Sequence, residues 1–370
     1  MLNREEIKRY NRHIILAEVG PEGQEKLKAA NVLVIGAGGL GCPVLQYLTA
    51  AGVGCIGIVD DDKVSESNLQ RQILFNHDDI GKSKAITATK KLKKQNPFIK
   101  FNIYNERLTK ENAISIISEY DIIVDGSDNI PTRLLVNDSC VILNKPLVYG
   151  AIYKFSGQAS VFNYNKGPTY RCLFPEMPAE QEIPDCSTIG VIGVIPGIIG
   201  SIQAIETIKI ILEKGDVLSG RLFQIDTLNF NIDLINLERD EKAADIKELG
   251  DYGDPYCSVD ENIEINNITA KELKNLIDKK EDIEIIDVRQ KSLFENYNIG
   301  GKNIEMEKLL FEVDLIPKNK KVVILCEIGE KSLALTEYFQ IKKNLDNVFN
   351  LKEGIQAWID QGYKLQRADN

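Results

Sequence analysis

The chain has 370 residues, 43% of them hydrophobic and 27% charged, with a formal net charge of −10 at pH 7. This length exceeds what one hydrophobic core usually organises, so we expect two domains. The acidic balance argues against nucleic acid as a partner. The amino terminus MLNREEIKRYNRHIIL lacks the apolar core of a signal peptide, and seven cysteines without regular spacing fit a reducing compartment. We therefore expect a cytoplasmic protein.

The most apolar segment, residues 189–212, does not predict a membrane span. Pro196 interrupts it, and Gln203, Glu206 and Lys209 follow in its second half. This pattern favours a glycine-rich turn followed by a buried core helix, so we expect no membrane partner.

Residues 31–153 alternate short β-branched runs with longer helical ones. The runs NVLVIG, CIGIVD, FNIYN, DIIVDG and PLVYGA are typical of buried strands, and GKSKAITATKKLKKQN is typical of a helix. The alternation predicts a Rossmann-like α/β fold, in which helices cover both faces of a mostly parallel sheet. The later runs SGQASVFNYN and GRLFQIDTLNFNIDLINL predict an antiparallel extension of that sheet.

A charged stretch that is poor in apolar residues, ERDEKAADIKELGDYGDPY, predicts a domain boundary. A second βα pattern follows, with strands at IEIIDVR and KVVILC and helices at ITAKELKNLID and SLALTEYFQ. We therefore expect a first domain over residues 1–240, a linker over 241–262 and a smaller α/β domain over 263–370.

The run VLVIGAGGLGC places Gly36, Gly38 and Gly41 in the spacing G-x-G-x-x-G, between a strand and a helix. Amides at the start of such a helix bind phosphate, and an acidic residue that ends the next strand, here Asp60, binds ribose. Close packing of helix on strand also selects glycine, so the loop could be structural alone. By itself the pattern fits an NAD-dependent oxidoreductase as well as an enzyme that uses another nucleotide.

Arg71 in SNLQRQ and Lys84 in GKSKA follow Asp60 in polar segments. A dinucleotide needs little positive charge beyond the helix terminus, whereas a triphosphate needs cations to neutralise it, so these residues favour ATP. Asp128 in VDGSDN follows a buried strand, and a carboxylate beside a triphosphate commonly holds Mg²⁺. The alternative is that Asp128 or Asn129 caps the next helix.

In this order and spacing, GAGGLGC, AGVG, the D-x-D of Asp60 and Asp62, SNLQRQ, GKSKA, DGSDN, PLVYGA and YRCLFP resemble the MoeB/ThiF family of ubiquitin-activating-enzyme-like adenylyltransferases. The resemblance covers most of residues 1–240 and implies that ATP binds at the glycine loop and the polar segments after it. The candidate nucleotide-binding residues are Gly36, Gly38, Gly39, Gly41, Asp60, Asp62, Ser67, Asn68, Leu69, Gln70, Arg71, Lys84, Asp128 and Asn129.

The resemblance also implies a homodimer in which Arg12, in YNRHIIL, reaches into the partner subunit. The implied substrate is the carboxyl-terminal Gly-Gly of a small β-grasp sulfur carrier protein. A carboxylate is already ionised at neutral pH, so its attack on the α-phosphate requires cations rather than a base. We expect His13 to be structural. The candidate catalytic residues of this step are Arg12, Arg71, Lys84 and Asp128, the last as the ligand of Mg²⁺.

Cys186, in PDCSTIGVIGVIPG, precedes a glycine-rich turn and a helix. A free cysteine is commonly a small buried residue, but the resemblance implies a cysteine here that takes the activated acyl group or joins persulfide exchange. The family also carries structural zinc on two C-x-x-C pairs. Thr169 replaces a cysteine in TYRC and Asp260 replaces one in CSVD. Only Cys172 and Cys257 remain, so we expect the zinc site to be lost.

Residues 263–370 resemble a rhodanese-like domain in IIDVR, NIGGKNI, VVILCEIGEKS and NVFNLKEGIQAW. Cys326 opens a loop whose amides are expected to surround the sulfur and stabilise a thiolate or persulfide. Rhodanese loops commonly have an arginine after the cysteine, whereas this loop has Glu327, with Glu330 nearby. Negative side chains disfavour the ionised thiol and repel anionic donors such as thiosulfate, so an inactive interaction module is the alternative.

One hypothesis joins these features: an ATP-dependent adenylyltransferase fused to a sulfurtransferase. The carrier carboxylate is adenylylated, and a persulfide on Cys326, loaded by a persulfide donor, then forms the thiocarboxylate with Cys186 as the resolving thiol. We expect a MoaD-like carrier of molybdopterin biosynthesis, with a ThiS-like carrier of thiamine biosynthesis as the alternative. An NAD-dependent oxidoreductase leaves Arg71, Lys84 and Asp128 unexplained, and a non-catalytic scaffold is the remaining alternative.

Overall fold

The structure is a computed structural model that describes residues 1–175, 190–252 and 265–367. Contacts between residues divide the chain into two compact units, Met1–Pro255 and Tyr256–Asn370. Each unit has its own sheet and its own hydrophobic core.

The first unit contains a sheet that has eight strands within the described residues: β1 (Asn31–Ile35), β2 (Cys55–Val59), β3 (Lys100–Tyr104), β4 (Ile122–Asp125), β5 (Leu147–Tyr153), β6 (Ser156–Phe162), β7 (Arg221–Asp226) and β8 (Asn231–Asn236). Their order across the sheet is β3-β2-β1-β4-β5-β6-β7-β8. Neighbours from β3 to β5 run parallel, and neighbours from β5 to β8 run antiparallel. The predicted mostly parallel sheet with an antiparallel extension is confirmed.

The helices described in this unit are α1 (Arg4–Arg9), α2 (Asn11–Ile14), α3 (Gly20–Ala29), α4 (Gly41–Ala51), α5 (Lys84–Gln95), α6 (Ala113–Ser118), α7 (Ile130–Ile142), α8 (Tyr170–Leu173) and α9 (Val194–Leu212). They cover both faces of the sheet, because alternate residues of β1 enter different core clusters. Val32 and Val34 belong to a cluster with side chains of α3, α4, α5 and α9. Leu33 and Ile35 belong to a cluster with side chains of α6 and α7.

The order of the strands brings three sequence motifs together at the carboxyl ends of neighbouring strands. From β1 the chain passes through β2 and β3 on one side and returns to β4 on the other, so the crevice between β1 and β4 is a topological switch point. The glycine loop follows β1, Asp60 follows β2 and Asp128 follows β4. Ligands of open α/β sheets bind at such a crevice.

Helix α9 is, among the described residues, the one helix long and apolar enough to cross a membrane. It packs against α4, β5 and β6. Its buried Gln203 donates a hydrogen bond to the Asp125 carbonyl at 2.6 Å, and its buried Glu206 accepts one from the Leu218 amide at 2.8 Å. These are the contacts of the predicted core helix.

The second unit contains a smaller sheet that has five parallel strands within the described residues. The strands are β9 (Asn267–Ile268), β10 (Ile283–Asp287), β11 (Lys302–Asn303), β12 (Lys321–Leu325) and β13 (Val348–Leu351), in the order β11-β10-β12-β13-β9. The helices are α10 (Ala270–Asp278), α11 (Lys291–Asn296), α12 (Met306–Phe311), α13 (Glu330–Lys343) and α14 (Gly354–Asp360). The predicted second α/β module is confirmed.

Part of the segment expected to be a linker packs on the first unit. Tyr252 is buried, and its hydroxyl donates a hydrogen bond to Asp138 in α7 at 2.8 Å. Ala244 is buried as well. Residues 241–252 therefore lie against the first unit, and the bounds of the three segments stay a prediction.

Gly41 and Gly197 provide a matched test of packing in α4 and α9. A Cβ on Gly41 would stand 1.9 Å from the Gly36 carbonyl oxygen, whereas a Cβ on Gly197 would have no atom within 4 Å. We expect Gly41→Ala to lower the free energy of unfolding by about 1–3 kcal/mol or more. Gly197→Ala should leave it unchanged or raise it by up to about 1 kcal/mol. Urea unfolding measures both, and equal stabilities would show that α4 does not depend on this contact.

Candidate active site

Two glycines of the loop after β1 are required by the backbone itself. Gly36 has a φ of +87°, and a Cβ on it would stand 2.9 Å from the Gly126 carbonyl oxygen. A Cβ on Gly41 would stand 1.9 Å from the Gly36 carbonyl oxygen. A side chain at either position would push the loop and α4 away from the sheet. Packing therefore accounts for both glycines without a ligand.

Packing does not explain Gly38 and Gly39 in the same way. A Cβ on Gly38 would have the Gln72 amide nitrogen as its nearest neighbour, at 3.7 Å. A Cβ on Gly39 would lie 3.2 Å from the Pro196 side chain and 3.5 Å from Cγ of Arg71. The lack of side chains leaves the amides at the start of α4 accessible to a phosphate group, with Arg71 beside them.

Asp60 fastens this loop to the end of β2. Its carboxylate accepts hydrogen bonds from the amides of Ala37 at 2.7 Å and Asp62 at 2.9 Å. Burial raises the pKa of Asp60 to about 6, against the lowering effect of Lys84 and of these amides. An ionised carboxylate in this place is an acceptor for hydroxyl groups.

Two cations lie at the same edge, each held by an oxygen atom nearby. Lys84 begins α5 and is buried, with its ammonium 2.8 Å from the Asp62 carboxylate. The guanidinium of Arg71 donates a hydrogen bond to the Ser67 carbonyl at 3.1 Å. Positive charge is therefore fixed in position beside the glycine loop before any anion arrives.

A short 3-10 helix, Glu66–Asn68, carries the segment that precedes Arg71. The segment lies close to the start of α9, where a Cβ on Gly193 would stand 2.1 Å from the Gln70 carbonyl oxygen. Within the segment, Ser67 and Gln70 are exposed, and Asn68 and Leu69 are half-buried.

Asn129 is the cap of α7, since its side chain accepts a hydrogen bond from the Thr132 amide at 2.9 Å. The capping alternative therefore holds for Asn129, whereas Asp128 is exposed at the edge of the sheet. Within the described ranges, no group of three or more His, Cys, Asp or Glu side chains is placed to hold a metal ion. A metal at Asp128 would thus need further ligands from the nucleotide.

Two buried polar side chains below the carboxyl ends of the strands, Asp125 and Gln203, were not among the site residues expected from the sequence. Asp125 is fully buried, and burial raises the pKa of its carboxyl group. One of its oxygens and the amide oxygen of Gln203 have no hydrogen-bond partner in the part of the chain that the structure describes. The only sequence signal for Gln203 was an amide within an apolar helix.

Arg12 lies in α2 with an exposed side chain. Its segment is held on the unit by Tyr10, whose hydroxyl accepts a hydrogen bond from Asn96 at 2.8 Å. His13 contributes through a ring nitrogen 3.1 Å from the Gln24 side-chain oxygen, which fits the expected structural role. No hydrogen bond or ion pair between described residues joins Arg12 to the glycine loop of its own chain.

Cys172, the remaining cysteine of the first expected zinc pair, is held by protein donors. Its sulfur accepts hydrogen bonds from the amides of Thr169 and Asp240, both at 3.3 Å. Cys186, Cys257 and Asp260 lie outside the described residues.

A buried network around Asp138 joins α8, the helix that contains Cys172, to the segment that ends at Tyr252. Asp138 in α7 is buried, and its carboxylate lies 2.7 Å from the guanidinium of Arg171 and 2.8 Å from the hydroxyl of Tyr252. One carboxylate thus ties α8 and the segment that ends at Tyr252 to the same helix.

In the second unit, Cys326 follows β12 and lies within a group of hydrogen-bond donors. Its sulfur accepts from the amides of Gly329 at 3.2 Å and Ser332 at 3.4 Å, and from the Ser332 hydroxyl at 3.3 Å. Gly329 has a φ of +91°, and a Cβ on it would stand 2.7 Å from the Glu353 amide nitrogen. These donors stabilise negative charge on the sulfur at the start of α13.

The carboxylate of Glu327 is held by two side chains. It accepts hydrogen bonds from Arg289 at 2.9 Å and from the Tyr297 hydroxyl at 2.5 Å. Partial burial acts to raise its pKa, but the hydrogen bonds from Tyr297 and Arg289 hold that pKa below the usual value. The sequence did not reveal this pairing, because the three residues lie in separate segments.

Comparison with known proteins matches both units. Residues 10–246, more than half of the chain, match the model of the ThiF family. Residues 269–361 match the model of the rhodanese-like domain.

Several curated proteins are similar over most of the chain. The probable adenylyltransferase/sulfurtransferase MoeZ of Mycobacterium tuberculosis is 40% identical over 97% of this chain and 94% of its own length. The sulfur carrier protein adenylyltransferase of Thermus thermophilus is 47% identical over 69% of this chain and 98% of its own. The probable molybdopterin-synthase adenylyltransferase of Porphyra purpurea is 39% identical over 96% of this chain and 94% of its own.

The fold of this chain is similar to that of solved structures of Escherichia coli MccB. The complex of MccB with AMPCPP and MccA has a TM-score of 0.56 and 26% identity, over 63% of this chain and 72% of that chain. The complex with succinimide has a TM-score of 0.52 and 25% identity, over 59% of this chain and 66% of that chain. This chain therefore spans about two thirds of these solved relatives.

The raised pKa of Asp60 provides a pH test of its role. We expect the Kd for ATP to rise by up to about tenfold per pH unit below about pH 6, because a protonated Asp60 must lose its proton before it can accept the ribose hydroxyls. Above that pH the carboxylate is ionised and the dependence disappears. Calorimetric titration with ATP across this range measures it.

Two amide variants provide the controls for this titration. Asp60→Asn should leave only the pH dependence of ATP itself, whereas Asp61→Asn, at the exposed neighbouring position, should keep the wild-type profile. Identical profiles for the wild type and Asp60→Asn would exclude Asp60 as the titrating group.

Proposed function

The chain belongs to the ThiF family and carries a rhodanese-like domain after its ThiF region, and from this premise we propose that it uses ATP to activate a small sulfur carrier protein. The proposed enzyme adenylylates the carboxyl-terminal Gly-Gly carboxylate of a β-grasp, MoaD-like carrier and then converts it into a thiocarboxylate for molybdopterin biosynthesis. The activities in the names of its relatives, adenylyltransferase, sulfurtransferase and molybdopterin-synthase adenylyltransferase, support this assignment.

The observation that carries the proposal is the group of cations at the switch point of the sheet. Arg71 lies against Gly39 of the phosphate cradle, and Lys84 lies beside Asp60 and Asp62. Two fixed cations exceed what a nicotinamide dinucleotide requires at this edge, and they suit a triphosphate that meets a second anion.

ATP would occupy the crevice between β1 and β4. The amides of Gly38 and Gly39 would bind phosphate at the start of α4, while Gly36 and Gly41 shape the loop. Asp60 would accept the ribose hydroxyls. The polar segment from Ser67 to Arg71 and the buried Lys84 would line the phosphate side, together with Asp62, Asp128 and Asn129.

Mg²⁺ would be held by Asp128 together with phosphate oxygens. An exposed carboxylate at the carboxyl end of β4, next to the amide of Asn129, offers the oxygen ligands that Mg²⁺ prefers. When bound, the ion neutralises charge on the phosphates and on the departing pyrophosphate. We propose that no zinc is bound, since only Cys172 and Cys257 remain of the two C-x-x-C pairs and a structural zinc site favours four nitrogen or sulfur ligands.

In the first step two anions react, the carboxylate of the carrier and the triphosphate of ATP. The carrier carboxylate forms a bond to the α-phosphorus, the bond to the bridging oxygen breaks, and pyrophosphate leaves with the electron pair. No general base is needed, because the attacking carboxylate is ionised at neutral pH. The protein contributes fixed positive charge from Arg71 and Lys84 that requires no rearrangement as the reaction proceeds.

The second step uses the thiol of the rhodanese-like domain. The terminal sulfur of a persulfide on Cys326 attacks the acyl-adenylate carbon, and AMP leaves. The thiolate of Cys186 then attacks Sγ of Cys326, which releases the carrier thiocarboxylate and leaves a disulfide for a cellular thiol to reduce. The hydrogen-bond donors around Cys326 stabilise the negatively charged sulfur that these two reactions require.

We propose that the active enzyme is a homodimer in the cytoplasm. Arg12 is exposed, and the apolar side chains of Ile15 and Leu16 after it are exposed as well, so a second copy would cover them. Arg12 of each subunit would then complete the site of the other. The five cysteines among the described residues are free thiols, which fits a reducing compartment.

Carrier-dependent exchange between ATP and pyrophosphate tests the first step. We expect exchange with a carrier that ends in Gly-Gly, and a decrease of at least about 100-fold in Asp128→Ala, because the variant loses its Mg²⁺ ligand. Asp61→Ala removes an exposed carboxylate on the same edge and should retain exchange. Parallel assays with MoaD-like and ThiS-like carriers identify the carrier. No exchange with either carrier would leave the scaffold alternative.

Mixing two inactive variants tests whether Arg12 acts in the site of the partner subunit. Arg12→Ala and Asp128→Ala homodimers should each lack exchange activity. After subunit exchange, one site in each mixed dimer has both wild-type residues, so about a quarter of the wild-type activity should return. Activity that stays absent in mixtures shown by mass spectrometry to contain mixed dimers would place Arg12 in its own subunit's site or outside any site.

A further inference from the structure

The loop that follows Cys326 exposes several side chains although the sulfur itself is buried, and we take these exposed side chains as the entrance to the sulfur. Cys326 is 3% exposed, whereas Glu327 has a 41% exposed side chain and Ile328 and Glu330 are exposed. A sulfur donor therefore passes these side chains before it reaches the sulfur. Their charge decides which donors approach readily.

Arg289 is fully engaged within the protein, because each of its three guanidinium nitrogens already donates a hydrogen bond to a carboxylate. Its guanidinium bonds Asp287 through two nitrogens, at 3.0 and 2.8 Å, and Glu327 through a third, at 2.9 Å. The side chain is 3% exposed. One guanidinium between two carboxylates leaves one net negative charge beside the entrance, and the exposed Glu330 and Lys331 of the loop offset each other in formal charge.

The pairing also fixes where the negative charge lies. Tyr297 donates its hydroxyl to Glu327 at 2.5 Å, and its ring lies 4.8 Å from the guanidinium carbon of Arg289. Glu327 stays ionised at neutral pH, since its pKa is held below the usual value by these partners despite partial burial. Glu327 is thus a charge held at the entrance rather than a mobile surface side chain.

Two classes of donor differ in how strongly this charge opposes them. Thiosulfate is a dianion, and its reaction forms a bond from Sγ of Cys326 to the sulfane sulfur, breaks the S–S bond of the donor and releases sulfite. A persulfidated cysteine carries at most one negative charge on its S–S group. Its reaction forms the same bond and releases the donor's thiolate.

We propose that Glu327, held by Arg289 and Tyr297, is a specificity-determining residue that excludes thiosulfate and selects a persulfidated cysteine of another protein as the sulfur donor. The inference rests on the proposed sulfur-carrying role of Cys326 and on the persulfide donor expected from the sequence, and it assigns the choice between the two donors to Glu327. A protein donor brings its own surface charges, so docking offsets the repulsion that a small dianion meets alone.

The test compares two probes on the full-length chain in the absence of ATP. Sodium thiosulfate and cysteine persulfide each load Cys326, and mass spectrometry of the cysteine peptide follows the added sulfur atom. We expect Glu327→Gln to raise kcat/KM for thiosulfate by about tenfold relative to cysteine persulfide. In the wild type, but not in the variant, added salt should accelerate loading by thiosulfate, because ions screen the repulsion.

Two further variants separate charge from shape. Glu281→Gln removes one exposed carboxylate just before β10, at the amino ends of the strands and away from Cys326, which follows the carboxyl end of β12. This variant should leave the donor ratio unchanged. Tyr297→Phe removes a hydrogen bond to Glu327 but keeps its charge, so the ratio should stay near that of the wild type. A shift in Tyr297→Phe as large as in Glu327→Gln would overturn the inference, because loop geometry would then set the ratio.

The outcomes also separate this inference from the proposed function. An unchanged ratio in Glu327→Gln, or an equal change with both donors, overturns the specificity role and leaves sulfur transfer intact. No loading of wild-type Cys326 by either donor contradicts the sulfur-transfer step and this inference together, while ATP and pyrophosphate exchange still reports on adenylylation.

Discussion

The first turn of α4 lies so close to the end of β1 that a Cβ on Gly41 would stand 1.9 Å from the Gly36 carbonyl oxygen. This contact sets the position of the helix start and therefore the direction of the amides available to phosphate. Asp60 fixes the other side of the loop through the Ala37 amide at 2.7 Å. In the proposed function, the cations beside the loop can act on ATP only because this backbone would hold the nucleotide at a defined distance from them.

The two units stabilise negative charge by different means. The first unit presents side-chain cations, with Lys84 oriented by Asp62 and Arg71 held by a backbone carbonyl. The second unit surrounds Cys326 with amide and hydroxyl donors and places a carboxylate at the entrance. The first arrangement suits small phosphate anions, and the second suits negative charge on a sulfur atom.

Hydrogen bonds and an ionic network hold the region around Cys172 in place among the described residues. Cys172 is held by two amides, and buried Asp138 joins Arg171 to Tyr252. A buried carboxylate is costly unless it is paired and fully hydrogen bonded, so this network is specific to its geometry. The attachment of both segments to α7 thus relies on charge pairing in the described residues.

The sequence by itself determined the alternation of strands and helices, the glycine loop, the two α/β modules and the thiol loop, because hydrophobic period and glycine spacing act locally. Through a resemblance of ordered motifs it also predicted Asp60, Arg71 and Lys84 as residues of a nucleotide site. It left open whether Asp128 or Asn129 caps α7, which the local geometry assigns to Asn129, and it could not show that Arg289 holds Glu327. The pairing of Arg289 with Glu327 joins side chains that are 38 positions apart and meet only after the sheet forms, so only the tertiary structure decided it.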